Sequence, residues 1–326
     1  MKISVAMCTY NGEPYLVEQL ESIAAQSRLP DELVICDDAS TDSTREIIKE
    51  FASSAPFPVH LHINEKNLGS TKNFERAIGL CEGDAIALAD QDDVWLPQKL
   101  ERIERYFKSK PNVGMVFSDA EVVDARLHPL GYGLWESVGF DEAHRRLVLK
   151  GRVLDVLLPG WTVTGATMAF RSEFRSLLLD IPTDLALIHD GWIALMIASV
   201  ADVGFIEERL IKYRQHSRQQ IGAKQREKTN NSPTDGVRYA MGSTNSYEEM
   251  ISIGMRAKER LAERGNSYEI GKAIANLDDR LKHLRVRANL APGKLNRVRS
   301  VAEELLSQRY HRYSNGFRSA VKDLLT

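Results

Sequence analysis

Short runs of apolar and β-branched residues alternate with stretches of helical spacing through the first third of this chain, and this alternation limits the fold most. The runs predict strands over Ile3–Thr9 and in the segments ELVICDD, PVHLHIN, DAIALAD and NVGMVFSDAEVVD. A stretch with helical apolar spacing follows each of the first four runs. Such alternation predicts βαβ units on a mostly parallel sheet, and continuous hydrophobicity within the strands predicts helices on both faces.

The pattern is less regular after residue 140. We expect a helix in LVLKGRVLDVLLP, a strand in TVTGATMAFR, a helix in HDGWIALMIASVA and two short strands in VGFIEERLIKYRQH. From about residue 225 the chain has the spacing of three or four charged, amphipathic helices. We therefore predict an α/β domain over residues 1–222, with halves of about 1–120 and 121–222, and a helical region over residues 223–326.

The charge distribution separates these two predicted regions. The 326 residues have a formal net charge of −2, which gives no general basis for binding nucleic acid. From Lys224 onward, however, there are 20 Lys and Arg residues and only 12 Asp and Glu residues. These cations, together with Leu, Val and Tyr, fit peripheral attachment to an anionic membrane surface. A solvated helical bundle is the alternative interpretation.

The cysteine content favours a reducing compartment. Cys8, Cys36 and Cys81 have neither the even number of a disulfide framework nor the spacing of a zinc site. Two of them fall in predicted core strands, where free thiols persist in reducing conditions. The start MKISVAMCTYNG is unlike a signal peptide, and no apolar run is long enough to span a bilayer. We therefore expect a cytoplasmic protein.

Polar side chains follow three of the predicted strands at the points where the strands end. They occupy residues 9–12, residues 37–38 and residues 90–93, and the last segment reads Asp-Gln-Asp-Asp. In an open α/β sheet, ligands bind at the carboxyl ends of the strands, so we expect these side chains to converge. A cluster of acids in that place most simply binds a divalent cation such as Mg²⁺ or Mn²⁺, which also bind phosphates.

The glycine-rich loops of other nucleotide-binding proteins are absent from the sequence. Neither GxxxxGK[ST] nor a GxGxxG after the first strand occurs, which argues against a P-loop kinase and a dinucleotide-dependent dehydrogenase. A sugar nucleotidyltransferase would need a glycine-rich first loop with a basic residue, and CTYNGEPY has neither. A silent nucleotide-binding scaffold would not need the acids.

The chain resembles the family 2 inverting glycosyltransferases, which have the GT-A fold. The matching segments are SVAMCTYNGEPYLVEQLESIAAQ, ELVICDDASTDST, NLGSTKNFERAI, ADQDDVWLPQKL, HDGWIALM and YRQHSRQQIG, in family order. Within the family, ADQDDVW, NLGSTKNFE and YRQH are most similar to the bacterial rhamnosyltransferase branch. The resemblance implies a Rossmann-like sheet with flanking helices and leaves the basic helical region outside the shared pattern.

The resemblance also implies roles for individual residues. The residues that would contact the nucleotide sugar are Thr9, Tyr10, Asn11, Glu13, Asp38, Lys72, Asp90 and Gln91. Among these, Asp38 would read the base and Asp90 would lie by the ribose and diphosphate. Asp92 and His216 would bind Mn²⁺ or Mg²⁺. Asp190 matches the catalytic base that opens the DGW helix.

An acceptor site is predicted from aromatic and small residues. Trp161, Gly165 and Trp192 would line it, because aromatic faces suit sugar rings. Trp192 has a core position as its alternative, since it lies on an apolar helix. Asp93 is interpreted as a cap of the WLPQKL helix. Helix capping is the alternative for residues 37–38, and a solvated loop is the alternative for His216. His189, where many relatives have Glu, is interpreted as structural.

These features predict a metal-dependent inverting glycosyltransferase. It would move rhamnose from dTDP-rhamnose to a hydroxyl of a cell-surface glycan or a lipid-linked acceptor at the inner face of the membrane. The alternatives are a hexosyltransferase that uses a UDP-sugar, a sugar nucleotidyltransferase and a catalytically silent scaffold. Nucleic acid is not expected as a partner.

Overall fold

The computed structural model divides the chain into two compact units. The described residues are 1–158, 162–219, 222–223, 247–264, 268–291, 293–314 and 316–325. The first unit comprises Met1–Thr183 and Leu187–Gly242, and the second comprises Asp184–Ala186 and Ser243–Thr326. The predicted boundary between residues 222 and 223 lies beside residues outside the described ranges, and it stays a prediction together with the two halves of the first domain.

The first unit is built on one nine-stranded sheet. Its strands are β1 (Ile3–Thr9), β2 (Glu32–Asp37), β3 (Val59–Ile63), β4 (Ala85–Ala89), β5 (Val94–Trp95), β6 (Val113–Val123), β7 (Pro129–Gly133), β8 (Met168–Arg171) and β9 (Asp202–Arg214). They are ordered β3-β2-β1-β4-β8-β6-β9-β5, and β7 pairs with β6. The predicted α/β fold with flanking helices is confirmed.

The sheet is parallel from β3 to β4 and mixed beyond β4. β1 pairs in parallel with β2 and β4, whereas β8 pairs antiparallel with both β4 and β6. β9 runs parallel to β6, and β5 runs antiparallel to β9. The expectation of a mostly parallel sheet therefore holds for β1 to β4 and not for the pairings of β5, β7 and β8, which are antiparallel.

The segment VGFIEERLIKYRQH was predicted to form two short strands, but in the structure it contributes to one continuous strand, β9. Its centre, Glu207 to Arg209, is exposed and polar, which suggested a break. In the structure Ile206 pairs with Ser118 and Arg209 pairs with Asp119, so two extra residues bulge out of β9. A β-bulge accommodates extra residues without ending the strand. Val94–Trp95 also forms a short strand, β5, which was not predicted.

Helices flank the sheet of the first unit. They are α1 (Leu16–Ala24), α2 (Thr44–Ser54), α3 (Ser70–Leu80), α4 (Lys99–Ser109), α5 (Leu134–Val138), α6 (Glu142–Leu149), α7 (Leu154–Leu157), α8 (Arg175–Leu178) and α9 (His189–Ala198). The single helix predicted in LVLKGRVLDVLLP is instead two, α6 and α7. Gly151 between them has a φ of +69°, a left-handed conformation that suits glycine and ends α6.

The second unit is helical. Its helices within the described residues are α10 (Tyr247–Arg264), α11 (Gly271–Ala288), α12 (Lys294–Leu306), α13 (Arg309–Tyr313) and α14 (Phe317–Leu325). Three or four were predicted, because the charged sequence after residue 294 reads as one continuous helix. Gln308, with a φ of +60°, interrupts it between α12 and α13. In the parts of the chain that the structure describes, no helix is long and apolar enough to cross a bilayer.

The pairing of β2, β1 and β4 brings three strand ends to one edge. The side chains of these strands are almost entirely buried, as continuous apolar runs require. Thr9 at the end of β1 pairs with Asp37 at the end of β2, and Met7 pairs with Ala89 at the end of β4. The polar segments that follow these strands therefore lie at the same edge of the sheet.

Candidate active site

The loop after β1 is held by a side chain from the loop after β4. Gln91 accepts a hydrogen bond from the Tyr10 amide at 2.8 Å and donates one to the Tyr10 carbonyl at 3.1 Å. A Cβ atom at Gly12 would collide with Oε1 of Gln91, so a larger residue there would displace the Gln91 side chain. The Tyr10 ring itself is half exposed. Two of the residues predicted to bind the donor thus fix each other at the strand ends.

Asn11 and Glu13 connect the same loop to the segment after β2. Asn11 has a φ of +48°, and its Oδ1 accepts a hydrogen bond from the Thr41 amide at 2.9 Å. The backbone amide of Asn11 donates a hydrogen bond to Oγ of Ser40 at 2.9 Å. Glu13 accepts from the Ser43 amide at 3.3 Å. Both side chains therefore help to shape this edge.

Asp37 is a buried structural anchor. Its carboxylate accepts hydrogen bonds from Oγ1 of Thr9 at 3.1 Å, from the Ser40 amide at 3.0 Å and from Nε of Arg45 at 2.8 Å. The N-cap of α2 is Ser43, so Asp37 does not cap that helix. It fixes the turn after β2 instead.

Asp38 organises the loop that leads into α3. Oδ1 accepts hydrogen bonds from Nδ2 of Asn64 at 2.7 Å and from the Leu68 amide at 2.8 Å. Oδ2 accepts from the Gly69 amide at 2.9 Å. Both oxygens thus have donors within the protein, and contact with a base stays a prediction. Lys72, on the first turn of α3, pairs with Glu75 at 2.9 Å.

Asp90, Asp92 and Asp93, here called the acid cluster, lie directly after β4. Burial, followed by the charges of Asp92 and Asp190, raises the pKa of Asp90 to about 7. Burial, followed by the charges of Asp92 and Asp90, raises the pKa of Asp93 well above its usual value. Oδ2 of Asp93 has no hydrogen-bond partner among the described residues. Asp93 does not cap α4, because its Oδ1 accepts from the Arg214 amide at 3.0 Å instead.

Asp92 and His216 meet although 124 residues separate them in the sequence. Oδ2 of Asp92 and Nε2 of His216 lie 2.8 Å apart, and both side chains are mostly buried. The imidazole also packs on the Tyr15 ring, with the centroids 4.5 Å apart. The solvated-loop interpretation of His216 is therefore wrong, and the two predicted metal ligands are neighbours.

Arg214 is a residue of this edge that the sequence did not single out. Its Nε donates to the carbonyl of Asp92 at 2.6 Å, and Nη2 pairs with Glu18 of α1. Its guanidinium also lies over the Tyr15 ring, 4.6 Å from the centroid. These contacts fix the backbone of the acid cluster against the end of β9. The only signal was its position in YRQH, beside the predicted ligand.

Lys99 was also missed. It is fully buried at the start of α4, where its Nζ donates to the Ala166 carbonyl at 2.7 Å and lies 3.5 Å from the Trp95 ring centroid. Burial lowers the pKa of this ammonium well below its usual value, while Asp93 and Asp90 oppose that shift. A lysine in a charged helix usually lies at the surface, so its burial could not be predicted from the sequence.

Asp190 lies in the first turn of α9 and faces the turn Gly165–Thr167. Oδ2 accepts a hydrogen bond from the Gly165 amide at 3.1 Å, and Oδ1 accepts from the Gly191 amide at 2.6 Å. Burial raises the pKa of Asp190 to about 6, against the opposing effect of these amides. Since its charge also raises the pKa of Asp90, the two carboxylates act on each other electrostatically.

His189 is a buried, neutral neighbour of this carboxylate. Its ring stacks on Phe74 with the centroids 4.2 Å apart, and burial lowers its pKa to about 3. A Cβ atom at Gly165 would lie 3.2 Å from its Nε2, so the imidazole closes the space beside Gly165. This packing supports the structural interpretation of His189.

The predicted acceptor residues are only partly brought together. Gly165 lies against Asp190, as described above. Trp192 is completely buried, and its Nε1 donates to the Leu178 carbonyl at 3.1 Å. An acceptor cannot reach a core side chain, so the placement of Trp192 in an acceptor site is corrected to its alternative. Trp161 lies outside the described residues.

The donor atoms at this edge fit a divalent cation. Among the described residues, no three His, Cys, Asp or Glu side chains form a complete metal cluster. The adjacent carboxylate of Asp92 and imidazole of His216 nevertheless offer one oxygen and one nitrogen ligand. Mn²⁺ accepts both types, and a cation would relieve the repulsion that raises the pKa of Asp90. These two residues could hold such an ion if a bound ligand supplied further oxygens.

Residues 4–153 match the model of the family described as Glycosyl transferase family 2. The chain is also 28% identical over 218 residues to the uncharacterized glycosyltransferase alr2836 of Nostoc sp. (strain PCC 7120). That match covers 66% of this chain and 65% of the relative, so the chain spans slightly less than two thirds of that protein.

Two solved structures share the fold. TarS 1-349 of S. aureus, in complex with UDP-GlcNAc, has a TM-score of 0.60 at 16% identity and covers 99% of this chain and 89% of its own. The mannosyltransferase PcManGT of Pyrobaculum calidifontis, in complex with GDP-Man and Mn²⁺, has a TM-score of 0.52 at 18% identity. The match covers 99% of this chain and 85% of PcManGT. The chain therefore has a fold of the GT-A type, and residues 4–153 are similar to glycosyl transferase family 2.

Proposed function

We propose that this protein is a metal-dependent inverting glycosyltransferase. It transfers a sugar from a nucleoside diphosphate donor to a hydroxyl of a cell-surface glycan or a lipid-linked acceptor. The observation that carries the proposal is the 2.8 Å contact between Asp92 and His216 at the strand ends, together with Asp190, which the Gly165 and Gly191 amides hold. The candidate base adjoins the candidate diphosphate site, since the charge of Asp190 contributes to the raised pKa of Asp90, and transfer between two substrates requires such proximity.

Asp190 is proposed as the general base. Its pKa of about 6 leaves it ionised at neutral pH, yet close enough to neutrality to accept a proton in the transition state. The amides of Gly165 and Gly191 hold one lone pair of each oxygen and orient the carboxylate. Asp190 removes the acceptor proton as the hydroxyl attacks the anomeric carbon opposite the leaving group. One displacement inverts that carbon.

Asp92 and His216 are proposed to hold Mn²⁺ or Mg²⁺. When bound, the ion would neutralise negative charge on the diphosphate leaving group. The presence of Mn²⁺ in the structure of PcManGT supports this proposal. Asp90 would lie by the ribose and diphosphate, where its raised pKa limits the number of negative charges.

The remaining donor contacts are proposed at the ends of β1 and β2. They comprise Thr9, Tyr10, Asn11, Glu13, Asp38, Lys72 and Gln91. The half-exposed ring of Tyr10 could stack on a base, whereas Thr9 and Asp38 are buried and would act through the shape of the loops.

Rhamnose, carried by dTDP, is the proposed sugar, and its support is the similarity of ADQDDVW, NLGSTKNFE and YRQH to the rhamnosyltransferase branch. A UDP-hexose is the alternative donor. Gly165 and Trp161 are proposed on the acceptor side. A lipid-linked acceptor would bring a cytoplasmic enzyme to the inner face of the membrane, with the basic region 223–326 against it.

Calorimetric titration with dTDP, UDP, GDP and dTTP, with and without Mn²⁺, tests the donor site. We expect one diphosphate to bind preferentially and only with Mn²⁺, and we expect Asp92→Asn to abolish this dependence. Asp202→Asn, at the exposed start of β9, is the matched control and should bind normally. Binding of the triphosphate alone would instead indicate a nucleotidyltransferase.

Hydrolysis of dTDP-rhamnose, UDP-glucose, UDP-galactose and UDP-GlcNAc, measured with the wild-type protein, then identifies the sugar. Preferential hydrolysis of dTDP-rhamnose is expected. A clear preference for a UDP-sugar would overturn the assignment of rhamnose without affecting the assignment of glycosyl transfer.

A further inference from the structure

Helix α14 buries a charged side chain and leaves several large apolar side chains exposed. Ala320 and the charged Asp323 point into the second unit and are buried. Phe317, Val321 and Leu325 point outwards, with 66%, 52% and 62% of their surfaces exposed. Residues four apart lie on the same side of a helix, so these three form one apolar stripe, here called the α14 face.

The neighbouring helix α12 adds further exposed apolar surface. The two helices pack together through Val301 and Ala320 in a small core that includes Tyr310. On its own outer side, α12 exposes Val298 and Leu306. Scattered exposed apolar residues are ordinary, whereas an apolar stripe on one side of a helix is a candidate interaction surface.

The exposed charges of α14 are positive. Arg318 and Lys322 are exposed and follow the apolar stripe along the helix. Asp323, the helix's only acid, is turned inwards, where Arg287 donates to it through Nε at 2.6 Å and Nη2 at 3.0 Å. The Tyr310 hydroxyl donates to the same carboxylate at 2.7 Å. The negative charge of α14 is thereby neutralised inside the unit.

We propose that the α14 face docks on an anionic lipid surface. An interfacial helix inserts an apolar stripe between the lipid headgroups while its cations attract anionic phosphates, and α14 has both features. A second copy of the same face fits less well, because it would bring Arg318 and Lys322 towards another positive surface. The inference extends the lipid-linked acceptor of the proposed function and rests on it for its biological purpose, but not for its geometry.

Flotation of the full chain with vesicles tests this surface directly. We expect binding to phosphatidylcholine vesicles that contain phosphatidylglycerol, weaker binding at high salt and little binding to pure phosphatidylcholine. The triple variant Phe317→Ser/Val321→Ser/Leu325→Ser should lose at least about tenfold in partitioning, because the stripe supplies the apolar area. Arg318→Gln/Lys322→Gln should lose roughly fivefold for each cation removed.

A matched control separates the α14 face from exposed apolar residues in general. Leu149 of α6 is 71% exposed and lies in the first unit, so Leu149→Ser should float like the wild type. All substituted positions are exposed, and an unchanged melting temperature verifies folding. Donor hydrolysis should be equal in every variant, which distinguishes failure of docking from failure of the proposed enzyme.

Two results would overturn the proposal. One is that the wild type does not float with anionic vesicles while it hydrolyses the donor. The other is that the triple variant floats as well as the wild type. If sedimentation instead shows a wild-type dimer that the triple variant lacks, and flotation is absent, the face is an interface between copies.

Discussion

The buried acids at the candidate site and the buried acids of the second unit are compensated in opposite ways. In the first unit, Asp90, Asp93 and Asp190 lie close together, and burial raises the pKa of each. Lys99 is the one buried cation among their electrostatic partners in the described residues, and it donates to a carbonyl rather than to a carboxylate. Asp90 repels both Asp93 and Asp190, and none of the three forms an ion pair among the described residues.

In the second unit, each buried acid has a cation in contact. Glu304 lies 2.6 Å from Nδ1 of His283 and also accepts from Arg309, and although burial opposes the shift, these contacts lower its pKa. Asp323 accepts the bidentate pair of hydrogen bonds from Arg287. The candidate site and the second unit thus differ in whether the protein itself supplies a cation in contact with each buried acid.

This difference in charge compensation distinguishes a candidate ligand-binding site from a structural ion-pair network. An acid whose charge is matched within the protein specifies helix packing and gains nothing from a ligand. A cluster of buried acids without cations destabilises the folded state, and binding of a cation and a substrate can offset this destabilisation. The acid cluster therefore has the electrostatics of a ligand-binding site, and the network around Asp323 does not.

The largest expected effect follows from removing the charge of Asp190. Asp190→Asn should reduce sugar transfer by about 10²–10⁴-fold, because general-base catalysis contributes that much. Diphosphate binding with Mn²⁺, measured by calorimetry, should stay close to the wild-type value. Asp155→Asn, also in the first turn of a helix, is the matched control and should transfer normally. Near-native transfer by Asp190→Asn would refute its role as the base.

The same substitution in the two units should change stability in opposite directions. Asp323→Asn leaves Arg287 without its charge partner and should cost about 3–5 kcal/mol of local unfolding free energy. Asp93→Asn removes a repelled carboxylate and should stabilise β4 and β5 at neutral pH. Hydrogen exchange of α14 and of β5, followed by mass spectrometry, measures both effects. Effects of equal sign would contradict the comparison.

Lys99 should act as a positioning residue through the Ala166 carbonyl. Lys99→Met keeps the packing on Trp95 but releases the turn whose Gly165 amide orients the base. Transfer should fall by roughly tenfold to a hundredfold in kcat, because small misplacements are costly. The KM for the donor should not change.

Two controls distinguish positioning from charge balance. Arg171 also donates to backbone carbonyls, of Val113 and Phe107, and lies over an aromatic ring, so Arg171→Met should lower stability without a specific loss of kcat. Adding Asp93→Asn to Lys99→Met should not restore transfer. Full recovery in this double variant would mean that Lys99 merely balances charge.

The smallest expected effect is an opposite response of the units to pH. The folded-state pKa values of Asp90 and Asp190, about 7 and about 6, are raised, so their ionisation costs stability at pH 8 and this cost disappears as pH falls through them. Burial lowers the pKa of His283, so its contribution is lost as pH falls below its ordinary value of 6.5. Each unit of pKa shift corresponds to about 1.4 kcal/mol.

Hydrogen exchange without metal, at pH 8 and pH 5.5, measures this response. Protection should increase around β4 and decrease in α11, after correction for intrinsic exchange rates. Asp90→Asn should remove part of the change in the first unit and leave the second unit unaffected. A parallel response of both units would contradict the electrostatic contrast.

The first four strands could be predicted closely because each is an apolar run bounded by polar turn residues. The run from Ile3 to Thr9 is the same in the prediction and in β1. Its buried neighbours β2 and β4 follow the same rule, so the meeting of their polar ends could be predicted as well. The bulge in β9 and the two-residue strand β5 could not, because pairing partners distant in sequence create them.

The sequence alone determined which residues are available at the strand ends, including the acid cluster and Asp190, because local hydrophobicity decides where strands begin and end. Only the tertiary structure decided which charges are matched. Asp92 meets His216 from 124 residues away, and Asp93 meets the Arg214 amide from 121 residues away. Lys99 and Trp192 are buried for the same reason, since burial and electrostatic interaction depend on distance in space rather than along the chain.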